Sequence, residues 1–303
     1  MEEGLVVKKI ADNFVVRMNE NSFTFIARGN LKKDGIFVGD KVIVDIKNNT
    51  IEKVLPRHNI LVRPNFANLS QMVIVIAKVP KTDFAVLDKL LLFCYSKNIK
   101  PVICVNKIDL ADDEYLNYVK SNYHFVDLVF TSVFLHKNLE ILHNELIGHI
   151  SVFAGQSAVG KSALLRAIYP SASVKIGSLS NKNKKGKNTT RHVELFYLEK
   201  DSFLADTPGF SKLDEKLLEI DAYDLRYFYP DFLSFHENCK YKSCTHTNES
   251  ENDCAVKKAV KENKLSFERY LRYVDIFKTL KKEQEKWKKW FHFLQNQQKI
   301  WKI

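Results

Sequence analysis

Gly155-Gln156-Ser157-Ala158-Val159-Gly160-Lys161-Ser162 has the pattern GxxxxGKS, follows the apolar run Ser151 to Ala154 and precedes the helical stretch Ala163-Leu164-Leu165-Arg166-Ala167-Ile168. Strand, loop and helix in that order make a phosphate cradle. Glycines let the backbone wrap an anion, the amides and the helix N-terminus point at it, Lys161 reaches the β/γ oxygens, and the Ser162 hydroxyl can hold Mg²⁺. By chance the pattern arises in roughly 1 of 100 chains of this length, so the flanks decide its meaning. Here they are the required ones, and Gly155 to Ala163 are taken as nucleotide contacts.

Outward from this loop, Met72 to Ala77, Pro101 to Val105, Val126 to Phe130, His149 to Ala154 and Ser202 to Ala205 read as buried strands. Ala85 to Ser96 has helical spacing between two of them. Continuous apolar strands alternating with helices imply a parallel sheet covered on both faces, an α/β domain over residues 67 to 225. Asn106-Lys107-Ile108-Asp109 follows the strand at 101 to 105. A carboxylate at Asp109 would accept hydrogens from guanine N1 and its exocyclic amine, which adenine cannot offer. Asn106 would tie this loop to the phosphate loop, and Lys107 would lie along the base. Thr131-Ser132, after the strand at 126 to 130, fits a further base-contacting loop. Asp206-Thr207-Pro208-Gly209 gives DxxG after the strand Ser202 to Ala205. In phosphoryl transfer its Asp holds Mg²⁺ through water, the Gly209 amide binds the γ-phosphate, and a Thr from the Thr189-Thr190 pair completes the metal shell. The lysines of the intervening low-complexity loop, 181 to 188, read equally as switch residues or as solvated filler.

The order is unusual: NKxD precedes the phosphate loop, and DxxG comes last. Ligand loops all lie at the carboxyl edge of a parallel sheet, so opening the chain elsewhere and joining the old ends preserves the site. The sequence describes a circularly permuted GTPase domain whose DxxG segment leads straight into the C-terminal region.

Residues 1 to 66 read as short strands (Leu5 to Val7, Asn13 to Val16, Phe23 to Ile26, Lys41 to Ile46) punctuated by Gly29-Asn30, Asp34-Gly35 and Gly39-Asp40, which suits a small closed barrel. Arg57 to Pro64 reads as a linker. Residues 226 to 303 carry Cys239, Cys244, His246 and Cys254, three thiolates and an imidazole that complete a tetrahedral shell with no open position, as in a structural zinc site. His236, just outside, is an alternative ligand or a surface residue. Cys94 and Cys104 fall in an apolar helix and strand and are read as core. A long helical stretch is expected from about Ala255, with Lys257, Lys258, Lys261, Lys264, Arg269, Arg272, Lys281, Lys282, Lys286, Lys288 and Lys289 interleaved with Tyr270, Tyr273, Trp287 and Trp290. Such a helix can set lysines on phosphates and rings against bases, or simply pack its rings.

The 47 Lys plus Arg against 36 Asp plus Glu give a net charge of +11. Residues 1 to 65 hold +3, 66 to 225 hold +1, and 226 to 303 hold +7. The basic excess marks the flanking modules as the nucleic-acid contacts and leaves the centre to one nucleotide. An apolar fraction of 45% and a charged fraction of 27% exclude a disordered or collagen-like chain. No apolar stretch reaches the ~18 residues of a membrane span, and Met1-Glu2-Glu3-Gly4 does not start a targeting segment, so a cytoplasmic protein is expected.

A barrel, a permuted GTPase and a zinc module resemble the bacterial RsgA family, also called YjeQ. The carriers are Gly39-Asp40, Arg63-Pro64, Asn106 to Asp109, Gly155 to Ser162, Thr189-Thr190, Asp206 to Phe210 and the Cys/His cluster. The resemblance covers nearly the whole chain. It implies an OB-type barrel and a GTPase, dependent on the small ribosomal subunit, that acts late in 30S maturation. It also implies GTP/GDP and 16S rRNA as partners, a monomer, Mg²⁺ with GTP and one zinc on the same four ligands, with a shorter final spacer than the Thr247 to Asp253 loop here. The residue after DxxG is apolar in that family, as Phe210 is here, and a His just before the Thr pair takes part in hydrolysis. This sequence has Asn188 there and His192 three residues after Thr189, so the group that activates water is Asn188 or His192. Two rivals remain at this stage: a zinc-stapled RNA-binding protein with nucleotide as a structural or regulatory ligand only, which Lys161→Ala would separate, and an ATP-dependent enzyme.

Overall fold

The computed structural model describes residues 1–29, 31, 35–62, 65–170, 193–206 and 220–300, with backbone alone for Val62, Asp206 and 288–300. Its contacts form two compact units: one of residues 1–117 and 126–217, the other of 118–125 and 218–303.

The first unit begins with β1 (Glu2–Ile10), β2 (Asn13–Met18), β3 (Asn21–Ala27), β4 (Lys41–Asp45) and β5 (Thr50–Val54). Their order is β1-β2-β3-β5-β4, and β4 returns to pair with β1, which closes a five-stranded barrel. Alternation along each strand turns Val6, Phe14, Val16, Phe25, Val42, Val44 and Ile51 inward, into one cluster. The barrel's wall is pinned at Asp40, which is fully buried. Its carboxylate takes two hydrogen bonds from Arg57, Nε to Oδ1 at 2.6 Å and a terminal guanidinium nitrogen to Oδ2 at 2.7 Å, and a third from the Phe37 amide at 2.8 Å. A buried charge needs such pairing.

The segment expected as a linker is structured. Ile60–Val62 (β6) and Asn65–Ala67 (β7) form an antiparallel hairpin. Leu61 and Phe66 are buried, and the Asn59 amide both donates to Leu69 O at 2.7 Å and accepts from Leu69 N at 3.1 Å. Two prolines suggested a connector, but the short apolar run between them has a core to fill. Arg63 and Pro64 lie outside the described residues.

The α/β part supplies β8 (Gln71–Ile76), β9 (Lys100–Val105), β10 (Asp127–Phe130), β11 (Ile150–Ala154), β12 (Glu194–Tyr197) and β13 (Phe203–Asp206). Strands β10-β9-β8-β11-β13 run parallel, as their unbroken apolar sequences require, and β12 adds antiparallel to β13. Helices α1 (Phe84–Ser96), α2 (Asp113–Asn122), α3 (Leu139–Glu145) and α4 (Lys161–Ile168) connect them. Asp83 caps α1 by accepting from the Ala85 and Val86 amides. The sheet continues into the barrel: β12 pairs with β1 at Glu194 and Lys8, whose side chains also meet at 2.8 Å.

In the second unit are α5 (Pro230–His236), α6 (Ala255–Lys261) and α7 (Phe267–Ile300). The helical stretch expected from Ala255 is made of two helices, α6 and α7. Asn263 takes a left-handed φ of 56°, which ends α6, and the Ser266 hydroxyl accepts from the Arg269 amide at 3.3 Å, which starts α7. Arg269 is 2% exposed; its Nε meets Asp231 Oδ2 at 2.9 Å, and its guanidinium stacks over Phe125 and Tyr229 at 4.5 and 4.8 Å. No helix among the described residues is long and apolar enough to cross a membrane.

Candidate active site and metal centre

The loops that follow β8, β9, β10, β11 and β13 emerge at one edge of the sheet, the carboxyl edge, because those strands are parallel. That geometry brings NKxD, Thr131-Ser132, the phosphate loop and the backbone of Asp206 together, although they are spread over residues 106 to 206.

The phosphate loop turns out of β11 through Gly155 with φ 120°, where a Cβ would stand 2.2 Å from Val75 O, and enters α4 through Gly160 with φ 102°. Ala158 holds φ 65°, a left-handed value that costs a non-glycine residue about 1 kcal/mol. Ser157, Ala158 and Ser162 are exposed, Gln156 and Ala163 are half-buried, and Val159 fills the core beneath. Lys161 Nζ donates to Gly155 O at 2.7 Å and Gln156 O at 2.6 Å, so its ammonium lies across the mouth of the loop. Burial holds its pKa below the usual lysine value. A partly desolvated cation at the mouth of the loop is a strong attractor for phosphate oxygens.

Asn106 makes the tie that the sequence suggested. It is 2% exposed, donates Nδ2 to Val159 O at 2.9 Å, and accepts at Oδ1 from the Thr131 hydroxyl at 3.2 Å. One side chain thus joins the NKxD loop, the 131 loop and the phosphate loop. Gly160 is what admits it: a Cβ there would lie 2.3 Å from Asn106 Nδ2. Lys107, in a left-handed conformation, spans the edge and donates Nζ to Ala158 O at 2.8 Å and Val79 O at 3.0 Å. The Val79 contact, and the Gln156 side chain accepting from the Asp83 amide at 2.9 Å, bring in the segment after β8, which carries no motif in the sequence. Asp109 is exposed with its carboxylate oriented by the Ser132 hydroxyl, which donates to Oδ1, leaving the rest of the group open to a base edge. Ile108 N binds Thr131 O at 3.1 Å. Asn188, Thr189, Thr190, His192, Thr207, Gly209 and Phe210 lie outside the described residues.

In the second unit Cys239, Cys244, His246 and Cys254 converge, with all four ligand atoms within 4.8 Å of one another. His246 Nδ1 lies 3.7, 3.3 and 3.4 Å from the three sulfurs in that order. A tetrahedral zinc with bonds of about 2.3 Å to sulfur and about 2.0 Å to nitrogen places N and S about 3.5 Å apart, so the donor set fits the ion. Burial, with His236 next, pulls the His246 pKa down to about 4, which keeps the imidazole neutral as a ligand must be. Tyr270 and Tyr273, read from sequence as base-stacking or packing rings, donate their hydroxyls to His246 O at 2.8 Å and Thr245 O at 2.7 Å. Lys257 donates to Thr247 O and Glu249 O. Cys94 and Cys104 are buried, and burial raises both thiols.

A glycine-rich phosphate loop clasped by the Asn of NKxD at the carboxyl edge of a permuted parallel sheet defines a P-loop enzyme that hydrolyses GTP. A family model described as RsgA GTPase matches residues 54–216, and one described as 50S ribosome-binding GTPase matches 150–289. The chain is 39% identical over 293 residues to the small ribosomal subunit biogenesis GTPase RsgA of Ruminiclostridium cellulolyticum, covering 93% of this chain and 94% of that one. It is 39% identical over 285 residues to the protein of the same name from Clostridium acetobutylicum, covering 92% and 97%. Among solved structures, YjeQ from Thermotoga maritima superposes with a TM-score of 0.77 at 30% identity, covering 92% of this chain and 98% of that one. YloQ, described as a circularly permuted GTPase, gives 0.76 at 31%, covering 93% and 96%. The chain belongs to the RsgA GTPase family. The enzyme reading is thereby favoured over a nucleotide held only as a structural ligand.

Proposed function

We propose that this GTPase binds the 30S ribosomal subunit, assists its late maturation, and hydrolyses GTP to GDP and phosphate faster when the subunit is bound. The observation that carries the nucleotide half is the Asn106 clasp, which makes base reading and phosphate binding one mechanical unit. The names of the relatives, small ribosomal subunit biogenesis GTPase, support the ribosomal half.

In this reading Asp109 selects guanine, Ser132 orients it, and Asn106, Lys107 and Ile108 hold the loop. Gly155, Gln156, Ser157, Ala158, Val159, Gly160, Lys161, Ser162 and Ala163 cradle the phosphates. Lys161 and the loop amides stabilise the charge that develops as water attacks the γ-phosphorus, with no covalent intermediate. Ser162, Thr190 and Asp206 would hold Mg²⁺, which when bound neutralises phosphate charge. The Gly209 amide receives the γ-phosphate, and Asn188 or His192 orients the water. Cys239, Cys244, His246 and Cys254 would hold one structural zinc.

The chain divides functionally into a barrel at 1–66, a GTPase domain at 67–225 and a zinc and helical module at 226–303, acting as a cytoplasmic monomer. Barrel and C-terminal module contact 16S rRNA. On α7 the exposed Lys278, Lys282 and Lys286 recur every four residues, beside a Trp287 that is 68% exposed, a row suited to a phosphate backbone. Hydrolysis measured with and without purified 30S subunits tests the reading. Slow turnover alone and an increase with subunits are expected; rapid turnover that subunits leave unchanged refutes it.

A further inference from the structure

We propose that His236 is a positioning residue of the zinc site: it accepts the proton of His246 Nε2 and so points the Nδ1 lone pair at the three sulfurs. The inference rests on the Cys3His reading above and adds a residue that the ligand spacing does not disclose.

The backbone around His246 is held by a set of hydrogen bonds from the surrounding protein. His246 itself has a left-handed φ of 60°. The Glu249 carboxylate accepts from the amides on either side of it, Thr245 at 2.8 Å and Thr247 at 2.9 Å. Tyr273, Tyr270 and Lys257 take the carbonyls of 245, 246 and 247 in turn, at 2.7, 2.8 and 2.8 Å. What this frame leaves undetermined is the imidazole's rotation and which nitrogen bears hydrogen.

His236, the last residue of α5, resolves both. Its Nδ1 lies 3.1 Å from His246 Nε2, and the two rings stand at 86° with centroids 5.1 Å apart. His246 is fully buried, so a proton on Nε2 needs a partner within the protein. With that partner at His236, Nδ1 is left as the acceptor nitrogen, on the side of the ring that faces sulfur at 3.3 to 3.7 Å. His236 is not itself a ligand, because it sits against the far nitrogen of His246. The Tyr227 ring, edge-on to His236 at 5.7 Å, holds the accepting imidazole in place. Ligating histidines generally need such an outer acceptor, and its loss typically weakens metal binding 10- to 100-fold.

The test is zinc affinity of the full chain, by competition with a chromogenic chelator, for the parent, His236→Ala, His236→Phe and His236→Gln. The Ala and Phe variants are expected to bind zinc about 10- to 100-fold more weakly. Gln, whose side-chain carbonyl can accept from Nε2, should recover most of the affinity. The Phe variant keeps the ring, so affinity equal to the parent there would mean packing alone and overturn the proposal, as would an unchanged Ala variant. Cobalt substitution separates the two levels of inference: a parent that takes up no cobalt or zinc refutes the Cys3His site itself, whereas a parent with three-thiolate tetrahedral bands, matched in band position and affinity by His236→Ala, refutes only the role of His236.

Discussion

Replacing Asn106 by alanine should detach the NKxD loop from the phosphate loop. The side chain makes two buried hydrogen bonds, to Val159 O at 2.9 Å and from Thr131 Oγ1 at 3.2 Å. Each contributes about 1 kcal/mol net, and the Val159 carbonyl left without its partner adds roughly another, for about 2 to 3 kcal/mol in all. Bound nucleotide must then restore the geometry that the clasp had fixed in advance. At 1.4 kcal/mol per decade the penalty is a roughly 30- to 150-fold weaker GDP affinity. Titration with a fluorescent GDP analogue measures it, and thermal unfolding with and without GDP reports whether the loss lies in binding or in the fold. Gly160→Ala should produce a comparable loss by another route, since its Cβ would lie 2.3 Å from Asn106 Nδ2. Because both changes break one tie, the double variant should be less than additive, the remainder being the backbone strain of a Cβ at φ 102°. An Asn106→Ala protein that binds GDP within threefold of the parent, or strictly additive effects in the pair, would refute the clasp.

Asp109→Asn should lower guanine nucleotide affinity at least 50-fold and improve xanthine nucleotide binding, because the amide donates where the carboxylate accepted; competition titration checks both. Arg269→Ala should destabilise the protein by about 3 to 5 kcal/mol by stranding Asp231, while Arg269→Met with Asp231→Leu should recover most of that, read from denaturant midpoints. Removing metal with a strong chelator should lower the unfolding temperature yet leave GDP affinity within about threefold, since the nucleotide loops and the Cys/His cluster belong to separate compact units; calorimetry and nucleotide titration measure the two.

The phosphate-loop geometry of the candidate site was legible because it demands particular residues at particular places: a turn that only glycine makes easily, then a lysine, then a helix. The Cys/His cluster was legible for the same reason, since its four ligands lie within 16 residues. The barrel was readable as alternating strands, but its hairpin at 60–67 was not, because two prolines and a three-residue strand resemble a connector. Where the C-terminal helical stretch breaks was not legible, because the break comes where one Asn takes a left-handed angle, a choice that helical spacing does not register. Contacts made by tertiary reach left no pattern. The Glu249 bonds and the Lys107 bond to Val79 O depend on which loops meet, His236 was visible only as a neighbour of the cluster, and the same physics made Tyr270 and Tyr273 hydroxyl donors to backbone carbonyls.

The pairing of β1 with β12 has a bearing on synthesis. The barrel leaves the translating ribosome first, but the strand that covers the outer end of β1 arrives only some 180 residues later. Until then that end offers unpaired peptide groups to any neighbouring nascent chain. Lys8 and Lys9 stand on it. Two like charges repel a second copy of the same edge, and Lys8 later receives Glu194 at 2.8 Å. The charge that guards the young barrel against its twin is the one that welcomes its proper strand.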